Sequence, residues 1–200
     1  MTRRTLIMPS LLTAVVVMGA CKGSDSSATD SSAAAAATPA AAPAPAAPAA
    51  PALTDPNIVA ILDQANASDS ARGRLAETKG TSADVKSFGR LMVGEHHSLR
   101  AQGQALAKKL NVTPEMPAGD QSEAQAKTEM DSLNAMPKGA AWDKAYINYE
   151  VGYHQAVLDV ATKALGAAQN EELKKLIQAA APVIQHHLDR AKAIQTKMGT

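Results

Sequence analysis

The stretch VKSFGRLMVGEHHSLRAQGQALAKKL, residues 85–110, decides the fold class of this chain. Its apolar residues recur at intervals of three and four, which is the periodicity of one face of an α-helix. That face carries Val85, Phe88, Met92, Glu95, Leu99, Gly103, Leu106 and Leu110. The spacing predicts a long amphipathic helix that packs into a helical bundle and has a carboxylate within its apolar face.

A helix is also predicted before this stretch. It begins at Asp55, an N-cap residue that is followed by Pro56 at the first helical position, and it ends at Gly80. Its apolar residues keep the same spacing of three and four. The two predicted helices are therefore joined by a short turn.

Two further helices are predicted after residue 139. The first of them carries an aromatic series at helical spacing, which is typical of a packed core: Trp142, Tyr146, Tyr149 and Tyr153. The second follows a turn at Asn170 and contains Pro182. Because proline lacks the backbone donor for the bond four residues back, we expect a bend there.

A long connection separates the second and third of these four helices. Residues 112–139 contain several prolines and glycines, and a short helix is predicted among them at about residues 122–133. No run in residues 55–200 alternates as a half-buried strand does. We therefore predict an all-α domain at 55–200, an up-down-up-down four-helix bundle with a long crossover between its second and third helices.

The chain begins with the features of an export signal. Arg3 and Arg4 precede an apolar run at residues 6–18, and the small residues Gly19 and Ala20 follow it. The run is shorter than the roughly 20 apolar residues that a membrane-spanning helix needs. Residues 1–20 are therefore predicted to be a signal peptide.

Cys21 is the predicted site of a lipid anchor. Residues 18–21, Met-Gly-Ala-Cys, resemble a bacterial lipobox, and a sole cysteine has no partner for an internal disulfide. The alternative is an ordinary cleavable signal with a cysteine beside the cut. Acyl chains such as palmitate on Cys21 would anchor the chain to a membrane, which is therefore its predicted partner.

The residue after Cys21 indicates which membrane. An aspartate at this position would favour the inner membrane, whereas Lys22 favours the outer membrane, with the domain in the periplasm.

Residues 21–54 are predicted to be a disordered tether. They are rich first in serine and then in alanine and proline, and they lack large apolar side chains that could form a core. The frequent prolines favour an extended polyproline conformation over helix. We expect this segment to give the domain reach from the membrane.

Composition excludes several functions. The formal net charge is +1 with both signs mixed along the chain, so nucleic acid is not a predicted partner. The domain has no Gly-x-Ser-x-Gly sequence, no cysteine for a Cys-His pair and no glycine-rich phosphate loop after a strand. No catalytic residue is predicted, and a non-enzymatic role is favoured.

Three histidines from three predicted helices lie at nearly one level of the bundle. We count 1.5 Å of helix length per residue, and we assume that the turn after the first long helix and the turn after the third lie at the same end of the bundle. His96 and His154 then lie about 24 Å from that end and His187 about 26 Å, whereas Asp69 lies about 17 Å away. The sequence therefore brings imidazoles from three helices together.

Carboxylates accompany these histidines. Glu95 and Glu150 are their sequence neighbours, and Asp63 reaches the same height. Imidazoles and carboxylates that converge from several helices are how bundles hold divalent metal ions. The candidate metal ligands are His96, His154, His187, Glu95, Glu150 and Asp69. The alternative is that each histidine is a half-buried core residue with a hydrogen bond at its polar edge.

Two histidines adjoin these candidates, His97 beside His96 and His186 beside His187. Adjacent residues lie about 100° apart around a helix, so only one of each pair can face the core. We predict that His97 and His186 face solvent.

Three stretches carry a resemblance to a known family. They are LMVGEH at 91–96, WDKAY at 142–146 and VIQHHL at 183–188. Together, over about residues 55–198, they resemble the domain of unknown function 4142 (DUF4142), exported bacterial proteins that are often labelled outer-membrane proteins or lipoproteins. The resemblance implies a ferritin-like fold.

The family pattern coincides with candidate ligands: Asp69, Glu95, His96, His154 and His187. A ferritin-like di-iron centre would instead need Glu-x-x-His on the second and fourth helices. Neither helix has it, because Met92 precedes Glu95 and Ile184 precedes His187. The resemblance thus supports the fold more than any oxidase, ferroxidase or catalase activity.

Three functions remain open at this point. The first is a membrane-tethered periplasmic module that binds a divalent metal ion or small ligand in its core and acts in envelope stress. The second is a metal-dependent oxidoreductase that uses the same residues. The third is a structural or interaction module whose histidines only fill the core, with an unidentified protein partner.

Overall fold

The computed structural model describes residues 53–199, which contain five α-helices. These are α1 (Asp55–Lys79), α2 (Ala83–Leu110), α3 (Ser122–Ala135), α4 (Ala140–Ala167) and α5 (Glu171–Lys197). No strand occurs within this range, so the all-α class is confirmed. The predicted signal peptide, the lipid site at Cys21 and residues 21–52 of the tether lie outside the described residues.

The helix boundaries follow local sequence. The N-cap of α1 is Thr54 rather than Asp55, and it forms a capping box with Asn57. Ser82 caps α2 by accepting hydrogen bonds from the backbone N–H groups of Asp84 and Val85. α5 is continuous through Pro182. Within the described part of the chain, no helix is long and apolar enough to cross a membrane.

Two aspartates show how the helices are directed. At one end, the Asp143 carboxylate near the start of α4 accepts from the backbone N–H groups of Thr81, at 2.9 Å, and Ser82, at 2.7 Å, before α2. At the other end, Asp55 at the start of α1 accepts from the backbone N–H of Gln169, at 2.8 Å, before α5. Hence α2 and α4 start at the same end and run parallel, and α1 and α5 start at the other.

The predicted up-down-up-down order is therefore wrong. The crossover between α2 and α4 carries the chain back along the bundle, so the four long helices run up, down, down and up. α3 lies within this crossover, and the Lys79 ammonium at the end of α1 donates to the carbonyls of Leu133, at 2.9 Å, and Met136, at 2.6 Å. Helical periodicity indicates which residues face inward and not which way a helix runs, so the order could not follow from it.

The core has two apolar regions with a polar layer between them. One region contains Phe88, Met92, Trp142, Tyr146 and Ile194. The other contains Ile58, Val59, Ala107, Leu173 and Ile177. Buried charged and polar side chains from the middle of the long helices occupy the layer between.

Two glycines let α1 and α2 approach closely beside this polar layer. A Cβ on Gly73 would lie 2.7 Å from the carbonyl oxygen of Gly89, and a Cβ on Gly89 would lie 2.7 Å from the carbonyl oxygen of Gly73. Any larger residue would therefore separate the helices. This contact holds the inner face of α1 against α2.

Candidate metal centre

The structure brings together the three predicted histidines. His96 on α2, His154 on α4 and His187 on α5 are all buried, and one ring nitrogen of each lies within 4.8 Å of the others. Their ring centroids are 4.9 Å apart for His96 and His187, 5.3 Å for His154 and His187, and 5.7 Å for His96 and His154. Three helices thus bring three imidazoles together in the polar layer, with their planes tilted or edge-on to one another.

A side-chain amide fixes the His96 ring. Its Nδ1 lies 2.9 Å from Oδ1 of Asn66 on α1. The Asn66 Nδ2 donates to the carbonyl of Leu62 at 2.7 Å, so the oxygen of that amide faces the imidazole. Because an amide oxygen only accepts, Nδ1 of His96 carries the proton and Nε2 has the lone pair.

The other two rings are held in the same manner. The Nδ1 of His154 donates to the backbone carbonyl of Glu150 at 2.9 Å, which leaves the lone pair on Nε2. The Nε2 of His187 donates to Oε2 of Glu95 at 2.6 Å, which leaves the lone pair on Nδ1. Each ring therefore has one nitrogen that donates to an acceptor and one nitrogen whose lone pair has no hydrogen-bond partner.

The free nitrogens are Nε2 of His96, Nε2 of His154 and Nδ1 of His187, which are buried and have no hydrogen-bond partner in the structure. One nitrogen of each of these three rings lies within 4.8 Å of the other two. A metal ion bound tetrahedrally at about 2.0–2.1 Å from each nitrogen would set them about 3.4 Å apart, so a modest closure of the rings fits an ion. An acceptor on the far nitrogen of each ligating imidazole is the usual arrangement at metal sites.

Burial keeps two of the rings uncharged. Burial, together with the neighbouring imidazoles, lowers the pKa of His96 to about 3 and that of His187 to about 4. At His154 burial also lowers the pKa, but the hydrogen bond to Glu150 and the charge of Asp69 outweigh it and raise the pKa. Neutral imidazoles at His96 and His187 are the form that binds metal.

A buried ion cluster adjoins the histidines. Arg72 on α1 donates from Nε to Oε1 of Glu150 at 3.0 Å and from Nη2 to Oδ1 of Asp69. The second carboxylate oxygens, Oδ2 of Asp69 and Oε2 of Glu150, have no hydrogen-bond partner. Oδ2 of Asp69 lies 3.6 Å from Nε2 of His96, so an oxygen donor stands beside the three nitrogens.

Two tyrosines of the aromatic series enclose Arg72. Its guanidinium carbon lies 4.1 Å from the ring centroid of Tyr153 and 4.8 Å from that of Tyr149. Such cation–π contacts favour a desolvated guanidinium over water. Tyr149 and Tyr153 therefore fix the cation that orients the two carboxylates. Of the predicted aromatic core series, Trp142 and Tyr146 are fully buried, whereas Tyr149 and Tyr153 are only partly buried.

The remaining predicted residues lie at the edge or on the surface. Glu95, at the edge, keeps 40 % of its side-chain area exposed while it holds His187. Asp63 is not in the histidine cluster and pairs instead with Arg100. His97 and His186 are exposed, as predicted.

The residue count along the helices assumed that the turns at Gly80 and Asn170 share one end, whereas they lie at opposite ends. The count also separated Asp69 from the level of His96, although Oδ2 of Asp69 lies 3.6 Å from Nε2 of His96. The three histidines still met because each lies near the middle of its helix. Arg72 and Asn66 had not been predicted, and the signal available for Arg72 was its position three residues after Asp69 on the inward face of α1.

Fold and site together define an all-helical bundle with a buried three-histidine, two-carboxylate centre. The chain belongs to the family described as "Domain of unknown function (DUF4142)", whose pattern matches residues 40–194. This confirms the resemblance seen in the sequence.

One solved structure has a similar fold, described as "CopM in the Cu(II)-bound form". The similarity covers 73% of this chain and 98% of that chain, with a TM-score of 0.59 and 13% sequence identity, and at this identity it shows the fold alone. A comparison with curated proteins finds no match. The family and the histidine cluster together support a metal-binding helical domain at the level of fold and site.

Proposed function

We propose that this domain binds one divalent transition-metal ion through Nε2 of His96, Nε2 of His154 and Nδ1 of His187. The observation that carries the proposal is the pattern of hydrogen bonds around the rings. In each ring one nitrogen is bound to an acceptor and the other is buried without a partner, and the three rings bring one nitrogen each within 4.8 Å of the others. Buried polar atoms normally have partners, so three orphaned lone pairs at one point fit a missing ligand.

The Asp69 carboxylate completes the ligand set. Its Oδ2 lies 3.6 Å from the free Nε2 of His96, whereas Oε2 of Glu150 lies 3.3 Å from Nδ1 of His154, the nitrogen that carries the proton. Two carboxylates face the one guanidinium of Arg72 and raise the pKa of His154, so a divalent cation bound to the imidazoles would replace the His154 proton as the balancing charge. Arg72 holds one oxygen of each carboxylate and leaves the other oxygen available.

The donor set favours copper(II) and then zinc(II). Imidazole suits copper, zinc, iron and nickel, whereas magnesium and manganese prefer oxygen ligands. Copper(II) also heads the affinity order of the first-row divalent ions. The Cu(II)-bound form of CopM, which has a similar fold, agrees with this choice.

The cellular setting that we propose follows from the first 54 residues. An export signal, a lipid on Cys21 and an alanine- and proline-rich tether would hold the bundle in the periplasm at the outer membrane. There it would bind metal without catalysis and lower the free ion concentration when the cell envelope is stressed. Metabolic labelling with a palmitate analogue, compared between the wild-type chain and Cys21→Ser, tests the anchor.

Calorimetric titration of the purified chain tests the metal site. We expect copper(II) and zinc(II) to bind with about one equivalent and manganese(II) to bind far more weakly. The double variant His154→Ala, His187→Ala should lose this binding, and the control His97→Ala, which removes an exposed imidazole, should keep it. If no metal gives heat or raises the melting temperature, the histidines only fill the core and the structural or interaction function is favoured.

A further inference from the structure

A second group of ligands lies on the outer side of His187. One ligand atom each of Glu95, His186 and His187 lies within 4.8 Å of the other two. Glu95 is 40 % exposed and His186 is exposed, whereas the His187 side chain is buried. We call Glu95, His186 and His187 the outer cluster. It opens to solvent and shares one imidazole with the buried centre.

The buried centre needs such a connection. His96, His154 and His187 expose almost none of their surface, so a hydrated ion has no direct contact with their free nitrogens. A metal site has to be reached by a path, and ligands along the path replace lost water one at a time. Glu95 and His186 offer an oxygen and a nitrogen at the surface next to the shared ring.

The shared ring can face only one site at a time. A neutral imidazole has one lone pair, on Nδ1 or on Nε2. With the proton on Nε2 and bound to Glu95, Nδ1 of His187 points to the buried centre. With the proton on Nδ1, Nε2 would bind an ion held by Glu95 and His186.

We propose that the outer cluster captures the metal ion and passes it to the buried centre through His187. This inference rests on the proposed function of the buried centre and names its route of loading. When the ion moves from Nε2 to Nδ1, Nδ1 gives up one proton to water and Nε2 takes up one proton through the Glu95 carboxylate, which lies 2.6 Å away, so the ring stays neutral. Capture and release use the same path, so His186 changes how fast the ion moves in both directions.

Stopped-flow mixing of the whole purified chain with copper(II) tests this route. Loading is followed by the visible absorbance of the copper–imidazole complex, and release by transfer to excess EDTA. We expect His186→Ala to slow loading and release by the same factor, about tenfold, the lower end of what loss of supporting groups costs at metal sites. His186→Asp restores a donor and should recover most of the rate. The matched control His97→Ala should load at the wild-type rate.

The outcomes separate this inference from the proposed function. If the chain binds copper but His186→Ala loads as fast as His97→Ala, the outer cluster is not the route, and the buried centre stands. If His186→Ala weakens equilibrium binding without slowing loading, His186 is a ligand of the final site and the route is again contradicted. If the wild-type chain binds no metal in calorimetry, both proposals fail.

Discussion

At the scale of single residues, the main finding is that the acceptors around the imidazoles decide what the imidazoles can do. Asn66, the Glu150 carbonyl and Glu95 each take one ring N–H. Without these acceptors each ring could exchange between its two tautomers, and the position of its lone pair would not be fixed. The ligand set of the buried centre is thus defined by the hydrogen-bond acceptors at the other nitrogen of each ring.

Asn66 offers a direct test of that statement. Asn66→Ala removes the acceptor for Nδ1 of His96 but no ligand, and loss of such a partner typically costs about 10–100-fold in metal affinity. We expect a loss in this range by competition titration with a chelator. Asn148→Ala, at an exposed asparagine of α4, is the control and should bind as the wild type does. Equal affinity of the two variants would show that the orientation of His96 does not depend on Asn66.

Arg72 is expected to be the most costly charged residue to remove. Arg72→Met leaves Asp69 and Glu150 buried without their cation, and breaking a buried pair in this way costs about 3–5 kcal/mol. Arg100→Met is a matched control, because the Arg100–Asp63 pair has side chains 41% and 30% exposed and should contribute at most about 1 kcal/mol. Urea denaturation of the metal-free chain measures both. Equal losses would mean that the buried cluster adds nothing beyond a surface pair.

At the scale of helices, the close approach of α1 and α2 determines whether the polar layer can form. Asp69, Arg72 and Asn66 all lie on α1, and they reach residues of α2 and α4. Gly73 and Gly89 remove the side chains that would hold these two helices apart. The close packing at these two glycines therefore determines how near the polar side chains of α1 come to those of α2 and α4.

Alanine at Gly89 should separate the helices. The added Cβ meets the Gly73 carbonyl at 2.7 Å, and overpacking of this kind typically costs about 1–3 kcal/mol. Gly94→Ala, in the same helix, meets nothing within 4 Å and should stabilise the chain by about 0.5–1 kcal/mol through helix propensity. Thermal unfolding of both variants gives the comparison. A Gly89→Ala variant as stable as Gly94→Ala would contradict the tight contact.

Helical periodicity predicted most of the helices from the sequence alone. Because the spacing of apolar residues is a local property, it located all four long helices, the short helix in the crossover and the inward positions of His96, His154 and His187. Arg72 escaped prediction because a buried arginine depends on Glu150 of another helix, which is a non-local pairing. The pairing of Asp63 with Arg100 of α2, which keeps Asp63 out of the histidine cluster, is likewise non-local.

At the scale of the whole molecule, the crossover decides the relative direction of the helices. A short connection between α2 and α4 would have made these helices antiparallel. The sequence does not show at which end of the bundle a long connection leads into α4. The structure settles this by contacts at both ends of the bundle, between Asp143 and Thr81 and between Asp55 and Gln169. The predicted signal, lipid and tether precede this bundle and remain predictions.

Zero-length carbodiimide crosslinking with mass spectrometry tests the direction of the helices. The ammonium of Lys109 at the end of α2 pairs with Glu172 at the start of α5, and Lys197 at the end of α5 pairs with Asp84 at the start of α2. We expect both crosslinks within one chain. In an up-down-up-down bundle the two members of each pair would lie at opposite ends, about 40 Å apart for helices of this length, so neither crosslink would form.

The central claim is that three imidazole nitrogens of the polar layer bind one metal ion. Anomalous diffraction from crystals of the copper-loaded chain, collected on both sides of the copper edge, tests it most directly. We predict a single strong peak within about 2.0–2.2 Å of Nε2 of His96, Nε2 of His154 and Nδ1 of His187, with an oxygen of Asp69 or Glu150 as the next neighbour. Copper found only on exposed side chains such as His97, with the three buried imidazoles unchanged, would contradict it.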